Sequence, residues 1–417
     1  MAPAPRSRSG RGSGRAASGR GSSRAASGRG SSRAASGRGS SKAASGRALA
    51  ASVLVRVERG AYANLALAGA LERSPLPARE RELATELVYG VLRMRRAVDF
   101  LVGAYVDLRR VEDGVRAALR VGGYESAFRG VPAYAAVSSA VSLAPPRARS
   151  LVNAVLRKVT AEPPPPWPDL GTELSYPDWI VERLCDDLGP DDTRAALSAM
   201  NEPGEAAVRA DGYVQDRASQ WVGELVEAAP GERVADLCAG PGGKATALAR
   251  VPSAVVLAAD VREARARRVR SNGQRLGLSS LLCLVADGRH PPVRGETMDR
   301  VLVDAPCSGL GALRRRPDAR WRLRPEAVGR LALLQRQLVA AATGLLRPGG
   351  VLVYSVCTLT REETTGVDQF LAAEWPALDP LPPPPAPWRP FGRGGLLLPH
   401  VAGTDGMYLV RLQKPPH

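Results

Sequence analysis

Residues 234–244 have the sequence Val234-Ala-Asp-Leu-Cys-Ala-Gly-Pro-Gly-Gly-Lys244. The first four residues predict a short buried strand, and the glycines that follow predict a tight turn before a helix that begins at Lys244. Glycines in such a turn let the backbone approach a ligand and present N–H groups at the start of the helix. The spacing matches neither the GxxxxGK[ST] phosphate loop nor the GxGxxG fingerprint. It therefore favours a nucleoside ligand that carries an amino-acid group over a triphosphate.

The pattern of strand followed by helix continues from this turn towards the C-terminus. Apolar runs of strand length occur at 234–237, 254–259, 281–285, 301–303 and 351–354, and helical stretches separate most of them. Short apolar strands that alternate with helices are typical of a parallel sheet that is covered on both faces. We therefore predict an α/β fold with a doubly wound, mostly parallel sheet, whose ligands bind beyond the carboxyl ends of the strands.

Aspartates follow the second and third predicted strands. Asp260 ends the second strand, where a carboxylate can accept hydrogen bonds from both ribose hydroxyls of a nucleoside or can cap the next helix. Asp287 follows the third strand in Ala286-Asp-Gly288, where it can accept from an adenine amino group, although Asp-Gly is also an ordinary turn. Each aspartate taken alone leaves both interpretations open.

The chain has five cysteines, and two of them follow predicted strands. Cys307 lies in Asp304-Ala-Pro-Cys-Ser-Gly309 after the fourth strand, and Cys357 lies in Tyr354-Ser-Val-Cys-Thr358 after the fifth. Both thiols are therefore expected at the ligand edge of the sheet. We expect the remaining cysteines to be small buried apolar residues: Cys185, Cys238 and Cys283.

The cysteine and histidine pattern argues against a disulfide framework or a metal site. The number of cysteines is odd and no Cys-x-x-Cys occurs, which favours reduced thiols in the cytoplasm. The histidines are scattered, and none has the spacing of a metal ligand beside a cysteine. No apolar run approaches the roughly 18 residues of a membrane-spanning helix, and the N-terminus lacks the apolar segment of a secretory signal. We expect a cytoplasmic protein without a metal and without a membrane anchor.

The net charge of +17 is distributed unevenly along the chain. Residues 1–47 carry +11 in a nine-residue Arg/Gly/Ser repeat, residues 48–160 carry +7, and residues 161–417 carry −1. The repeat has no large apolar side chain, so this arm is expected to be disordered. Two interpretations of the arm stay open: it contacts RNA phosphates without sequence specificity, or it is a dispensable extension.

Beyond the arm, the sequence predicts two domains and a connection between them. Residues 48–160 carry apolar residues at helical spacing, which predicts an all-helical domain. The proline-rich sequence at 162–168 ends that domain, so residues 161–204 are expected to form a linker and a bridging region. Residues 205–417 contain the predicted sheet and the motifs that follow its strands.

Together these motifs resemble those of the Nol/Nop/Sun (Fmu-like) family of RNA cytosine-C5 methyltransferases, and in particular its bacterial 16S ribosomal RNA branch. The resemblance rests on residues 236–244, on residues 304–311 followed by Arg316-Pro-Asp318, and on residues 355–358 followed by Glu362-Glu363. Residues 48–160 resemble the NusB-like RNA-binding domain of that branch. The resemblance implies a Rossmann-like, S-adenosylmethionine-dependent methyltransferase domain. It also implies that the short segment between Asn201 and Gly212 replaces a small RNA-recognition-like subdomain.

The resemblance implies a role for each motif. Cys357 would be the nucleophile, Cys307 would assist product release, and Asp304 would act beside the thiols as well as on the cofactor. S-adenosylmethionine would be bound by the glycine-rich loop and by charged residues that follow the strands, namely Cys238, Ala239, Gly240, Pro241, Gly242, Gly243, Lys244, Asp260, Arg265, Asp287 and Asp304.

The resemblance also implies a substrate. In the best-known members of the branch the target is cytosine 967 of 16S rRNA, and we expect a monomer that acts on this rRNA, either free or in a small-subunit precursor. A cytosine-C5 methyltransferase of tRNA or of another rRNA site is an alternative. A non-catalytic RNA-binding or ribosome-assembly protein is a further alternative, but the chain retains both cysteines and the cofactor glycines, which an inactive relative need not keep.

Overall fold

The computed structural model describes residues 45–416, with the exception of Ala206. Residues 1–44 of the arm, for which the sequence predicts disorder, lie outside the described residues. The boundary predicted at residue 47 falls inside the first helix, α1 (Gly46–Glu58). Ser45 caps this helix, because its Oγ accepts a hydrogen bond from the N–H of Ala48 at 3.2 Å. Gly46 and Arg47 thus belong to the helical domain and not to the arm.

The helical domain is built from seven α-helices around one apolar core. These are α1, α2 (Ala63–Glu72), α3 (Ala78–Arg93), α4 (Arg95–Gly103), α5 (Asp113–Ala127), α6 (Ala133–Leu143) and α7 (Arg149–Ala161). Leu87, Leu119 and Leu156 lie in the core at 0%, 0% and 1% exposure. Gly90 of α3 lets α5 approach closely, since an added Cβ would come within 2.2 Å of the Tyr124 ring. The predicted all-helical domain is confirmed.

The region predicted to be a linker and bridge, residues 161–204, contains three helices. They are α8 (Leu170–Glu173), α9 (Asp178–Leu188) and α10 (Pro190–Ala199). Ile180, Leu184 and Leu197 of these helices are fully buried in the same core as the sheet. The proline-rich part before α8, residues 174–177 and residues 200–204 are irregular. Most of the region is therefore an integral layer of the sheet-containing domain, because its apolar residues recur at helical spacing.

A single mixed sheet forms the second domain. Its parallel strands are β1 (Arg233–Asp236), β2 (Val255–Asp260), β3 (Leu281–Val285), β4 (Met298–Asp304) and β5 (Leu346–Val356). They lie in the order β3-β2-β1-β4-β5, so the chain reverses direction across the sheet after β3. The antiparallel strands β9, β8 and β7 extend the edge beyond β5. The predicted doubly wound, mostly parallel sheet is confirmed.

The remaining strands and helices complete this domain. The strands are β6 (Asp379–Pro380), β7 (Arg389–Phe391), β8 (Gly394–Leu397) and β9 (Met407–Gln413). The helices are α11 (Arg217–Glu224), α12 (Gly243–Leu248), α13 (Glu263–Arg275), α14 (Ala319–Arg322), α15 (Glu326–Leu345), α16 (Thr365–Glu374) and α17 (Pro399–Ala402). No helix in the described part of the chain is long and apolar enough to cross a membrane.

Successive residues of the central strands point to two different cores. Val301 of β4 belongs to the core that includes α15, whereas the next residue, Leu302, belongs to the core that includes α11 to α13. This alternation is the signature of a strand that is covered on both faces. Helices therefore shield both faces of the sheet, and ligands reach it at the carboxyl ends of the strands.

Side chains around α14 join the sheet domain to the helical domain. The indole N–H of Trp321 donates to the carbonyl of Leu92 at 2.7 Å. The carboxylate of Asp318 accepts from the N–H of Ala63, at the start of α2, at 3.2 Å. In the sequence, Arg316-Pro-Asp318 is marked only by its resemblance to a family motif. In the structure its role is to fasten the two domains to each other.

Arg320 adds a buried cation to this junction. Its side chain is fully buried, its guanidinium lies 3.8 Å from the ring centroid of Tyr176, and it donates to the carbonyls of Arg93 and Ser175. Burial lowers the pKa of Arg320 to about 10. A buried guanidinium is retained only where aromatic faces and carbonyl oxygens replace water, so this junction has one well-defined geometry.

Candidate active site

The loops that follow β1, β2, β4 and β5 converge at one edge of the sheet. Asp304, at the end of β4, is in register with Ser355 of β5, and the Ser355 hydroxyl lies 3.3 Å from the Asp304 carboxylate. β1 lies between β2 and β4, so its glycine-rich loop opens at the same edge. The structure thus brings the three predicted motifs together, as a doubly wound topology requires.

The thiols of Cys307 and Cys357 are in contact, with their Sγ atoms 3.2 Å apart. The hydrogen bond between them lowers the pKa of Cys357, whereas the same bond, together with burial, raises the pKa of Cys307 well above its ordinary value. The nearby ammonium of Lys244 also favours a thiolate on Cys357, and the carboxylate of Glu363 disfavours one on Cys307. These shifts favour a thiolate on Cys357 over one on Cys307.

A buried carboxylate, that of Glu363, ties the two cysteine segments together. It accepts from the N–H of Ser308 at 2.8 Å and from the Ser308 hydroxyl, next to Cys307. It also accepts from the hydroxyls of Thr358 and Thr360 at 3.1 and 3.0 Å, on the Cys357 side. Gln335 of α15 donates a further bond at 2.9 Å. The sequence alone indicates no role for Glu363 beyond its membership of a motif.

The side chain of Lys244 extends from the glycine-rich loop to the end of β4. Its Nζ lies 2.7 Å from Oδ2 of Asp304, and the Lys244 side chain is only 7% exposed. The Asp304 side chain keeps 30% of its surface accessible. Lys244 was predicted as part of the cofactor loop. The structure adds that its ammonium is paired with the carboxylate that precedes the Cys307 segment.

Asp260 organises the glycine-rich loop. Its carboxylate accepts from the N–H of Gly240 at 3.1 Å and from the N–H of Arg262 at 2.8 Å, just before α13. An added Cβ at Gly240 would lie 2.3 Å from a carboxylate oxygen of Asp260, so only glycine allows this approach as it stands. A guanidinium nitrogen of Arg265 lies 3.8 Å from the same carboxylate. Asp260 does not cap α13, whose N-cap residue is Arg262 and makes no side-chain cap hydrogen bond. Contact of the Asp260 carboxylate with ribose hydroxyls stays a prediction.

The donors and acceptors at this edge fit S-adenosylmethionine. No side chain caps α12, which leaves the first-turn N–H groups of Gly243 and Lys244 free to bind a carboxylate such as that of the methionyl group. The carboxylate oxygens of Asp260 can accept further bonds from ribose hydroxyls. Among the described residues, no group of three or more His, Cys, Asp and Glu side chains is arranged to hold a metal ion.

Asp287 lies after β3 and is bound by a neighbouring arginine. Arg289 donates to its carboxylate from Nε at 3.0 Å and from Nη2 at 2.6 Å. These bonds lower the pKa of Asp287 to about 2, so the group is an anion at neutral pH. Contact of this carboxylate with an adenine amino group stays a prediction.

Asp236, at the end of β1, is a buried carboxylate that the sequence did not mark as part of the site. It is 1% exposed, and its Oδ1 lies 3.3 Å from the N–H of Cys238. Burial, followed by the charge of Asp304, raises the pKa of Asp236 to about 7. The sequence signals for Asp236 were its position directly before the glycine-rich loop and its place at the start of the motif 236–244.

The short segment between Asn201 and Gly212 braces the cofactor loop. Its described residues form an irregular loop, closed by a single β-bridge between Val208 and Val214. Arg209 stacks on Tyr213, with its guanidinium 4.8 Å from the ring centroid, and donates to the carbonyl of Gly243. The segment therefore holds the start of α12 from outside the sheet.

Comparison with known families accounts for both domains. Residues 44–161 match the NusB family, and residues 224–413 match the family described as 16S rRNA methyltransferase RsmB/F. The ribosomal RNA small subunit methyltransferase B of Thermus thermophilus is 37% identical over 399 residues, which cover 88% of this chain and 97% of that protein. The chain belongs to this methyltransferase family. It is an S-adenosylmethionine-dependent rRNA methyltransferase with a NusB domain.

Further relatives agree with this assignment to the RsmB/F family. The ribosomal RNA small subunit methyltransferase B of Vibrio cholerae is 31% identical over 435 residues, which cover 88% of this chain and 97% of that protein. The crystal structure of PH0851 covers 88% of this chain and 99% of its own, with 24% identity and a TM-score of 0.73, and supports the fold alone. A methyltransferase homologue from Pyrococcus horikoshii covers 59% of this chain and 98% of its own, with 25% identity and a TM-score of 0.50.

Proposed function

We propose that this chain methylates C5 of a cytosine in 16S rRNA through a covalent bond between Cys357 and C6 of the base. The observation that carries the proposal is the contact of two thiols, 3.2 Å apart, at the ligand edge of the sheet. One thiol has a lowered pKa and the other a raised pKa. An attacking thiolate and a neighbouring proton carrier are the two groups that this chemistry needs.

The need for a thiolate follows from the electronic structure of cytosine. C5 is too weak a nucleophile to take a methyl group unaided, whereas addition of sulfur at C6 makes C5 enamine-like. The base must leave its stack before Cys357 can reach C6. Charge develops at N3 during the addition, so a proton donor near N3 assists it.

Asp304 and Lys244 are the groups that we assign to N3. The Lys244 ammonium is 2.7 Å from the Asp304 carboxylate, which we expect to act at N3 through a bridging water. Asp304 keeps part of its surface accessible, as contact with a substrate requires. Lys244 would also hold Asp304 in place between the cofactor loop and the thiols.

Cys307 is assigned to the second half of the reaction. After methyl transfer the C5 proton must leave and the bond between Cys357 and C6 must break. The Sγ of Cys307 lies within 3.2 Å of the Cys357 sulfur, near enough to position a base or to return a proton to the departing thiolate.

S-adenosylmethionine, when bound, supplies an electrophilic methyl group on its sulfonium. We assign its binding to the loop from Cys238 to Lys244 and to the carboxylates of Asp260, Asp287 and Asp304, with Arg265 at the rim. The bonds that Asp260 makes to Gly240 and Arg262 keep its carboxylate at the end of β2. The braced loop and α12 then orient the methionyl group towards the thiols.

The substrate assignment is supported by the relatives. Their names refer to the small ribosomal subunit, which favours 16S rRNA over tRNA as the substrate of this chain. Family membership likewise favours an enzyme over a non-catalytic assembly protein. We propose cytosine 967, or its equivalent, as the target, in free rRNA or in a small-subunit precursor.

The test combines two cysteine variants with mapping of the product. Cys357→Ser should reduce methylation of 16S rRNA to background while calorimetric binding of S-adenosylmethionine survives. Cys307→Ala should accumulate an RNA–protein adduct that resists denaturant, and its formation should need a higher pH, because Cys357 loses the hydrogen bond that lowers its pKa. Cys185→Ser, outside the site, serves as the control. Bisulfite sequencing of rRNA and tRNA from a deletion strain identifies the cytosine.

The outcomes separate the parts of the proposal. Full activity of Cys357→Ser would disprove the nucleophile assignment. Absence of an adduct with Cys307→Ala would reduce Cys307 to a packing role. A lost methyl group in tRNA, with rRNA unchanged, would favour the tRNA alternative.

A further inference from the structure

A cavity of about 650 Å³ lies where the helical domain meets the sheet domain, away from the thiols and the cofactor loop. Its walls come from α1, the end of α3, the start of α5 and the α14 segment with Trp321. Six arginines and three carboxylates line it. A volume of this size can hold a nucleotide, and the excess of arginine points to an anionic occupant.

Three of the arginines form ion pairs with carboxylates of the wall. Arg116 pairs with both Glu58 and Asp113 at 2.9 and 2.7 Å, and Arg120 pairs with Glu58 at 2.6 Å. Arg59 lies 2.9 Å from Asp113. These pairs use both wall carboxylates of the helical domain. The third wall carboxylate, Asp318, accepts the N–H of α2 described above.

The other three arginines, Arg95, Arg322 and Arg324, make no close pair with a carboxylate among the described residues. Arg322 donates only to the carbonyls of Gly60 and Ala61, at 2.9 and 3.0 Å. Arg95 comes no nearer to a carboxylate than 3.8 Å. Arg324 makes neither a hydrogen bond nor an ion pair with its side chain within residues 45–416 and is exposed.

Aromatic faces fix the direction of two of these cations. The guanidinium of Arg95 lies 5.3 Å from the ring centroid of Trp321, and that of Arg322 lies 3.9 Å from the ring centroid of Tyr62. Stacking holds a guanidinium flat while its N–H groups stay available for bidentate bonds. Burial and the neighbouring charge of Arg120 lower the pKa of Arg95, whereas the charges of Asp99 and Glu58 raise it.

We infer that this cavity binds backbone phosphates of the substrate RNA, through Arg95, Arg322 and Arg324, at a point remote from the methylated base. The inference rests on the proposed rRNA substrate. Phosphodiesters match planar guanidinium groups in charge and geometry. Because both domains contribute to the wall, a phosphate bound here would also fix the RNA relative to the active site.

Binding of a labelled 16S rRNA fragment to the full chain, measured by fluorescence anisotropy at a series of salt concentrations, tests the inference. The variants are Arg95→Gln and Arg324→Gln. Arg157→Gln, an exposed arginine of α7 outside the cavity, is the matched control. Each cavity variant should weaken binding severalfold and reduce the slope of log affinity against log salt by about 0.7 to 0.9 per lost contact.

Unchanged affinity and slope for Arg324→Gln would overturn the inference, and this variant removes no hydrogen bond that the fold uses. An equal loss from Arg157→Gln would also overturn it, since the binding would then follow diffuse charge. If uridine monophosphate alone binds with the same affinity as the RNA fragment, and the cavity variants weaken that binding, the site binds a free nucleotide instead. If wild-type protein binds the RNA but does not methylate cytosine, the proposed function fails while the cavity is still tested.

Discussion

At the scale of single residues, the chemistry depends on how two identical side chains are made different. Cys307 and Cys357 are both thiols at strand ends, and their Sγ atoms are close enough for one thiol to donate a hydrogen bond to the other. Lys244 is close enough to favour charge on Cys357, and Glu363 disfavours charge on Cys307. The difference between the two thiols is therefore set by groups that lie 50 or more positions away along the chain.

Glu363 is the residue that we expect to position the thiols without touching the substrate. Glu363→Gln replaces an acceptor oxygen by an amide NH₂ among several donors, and should destabilise the fold by about 2 to 4 kcal/mol. It should lower kcat roughly ten- to hundredfold, because Cys307 and Cys357 lose their relative geometry, while the affinity for S-adenosylmethionine is retained. Thermal unfolding, single-turnover kinetics and calorimetry measure these effects.

The neighbouring Glu362 provides a matched control for this prediction. Glu362 is half-exposed, and its carboxylate pairs with Arg183 on the surface. Glu362→Gln should therefore change stability by less than about 1 kcal/mol and leave kcat unaffected. Equal effects of the two substitutions would contradict a positioning role for Glu363.

At the scale of strands and helices, the end of β1 places the buried carboxyl group of Asp236 directly before the cofactor loop. Asp236 is buried there with a pKa near 7, raised by burial and by Asp304. Between pH 4 and about 7 the folded chain keeps a proton on Asp236 that the unfolded chain has already released. The free energy of unfolding should therefore fall as the pH rises through this range and level off above it.

Asp236→Asn isolates this contribution. Asparagine keeps an oxygen that can accept from the N–H of Cys238 but cannot ionise. The melting temperature of the variant, relative to that of the wild type, should rise by a few degrees between pH 5 and pH 8. Thermal unfolding followed by circular dichroism at both pH values measures this difference. A difference that is independent of pH would show that Asp236 does not titrate in this range.

Helices α9 and α10 show where prediction from the sequence failed at this scale. The five parallel strands overlap the predicted runs, because apolar runs of strand length have few other uses, whereas the antiparallel strands β6 to β9 were not predicted. The region 161–204 was predicted as a linker because prolines dominate its start. Ile180 and Leu184 have helical spacing, but a pattern this short does not reveal which core it completes.

At the scale of the whole molecule, the arm and the folded chain meet at Ser45. Removing residues 1–44 should leave stability and chemistry intact, and should flatten the salt dependence of RNA binding if the basic repeat contacts phosphates. Removing residues 1–47 should in addition cost about 2 kcal/mol, because the helix cap and the Arg47–Glu125 ion pair are lost. Thermal unfolding and salt-dependent anisotropy of both truncations measure this.

Equal stability of the two truncated chains would contradict the boundary at Ser45. An unchanged salt slope would make the arm a dispensable extension.

The sequence by itself determined the sheet, the order of the domains and the three motifs of the site. These properties are local, since short apolar runs, glycine turns and residues at strand ends are encoded within a few positions. Even the convergence of the motifs follows, because parallel strands end at one edge.

Only the tertiary structure decided which charges meet. The pairing of Lys244 with Asp304, the bonds of Glu363 to both cysteine segments and the cavity between the domains join residues far apart in the chain. The pKa values of Cys357 and Asp236 depend on these neighbours and on burial. These electrostatic interactions join groups that are far apart in the sequence but must lie close together in space. They are therefore defined only when the fold brings the groups together.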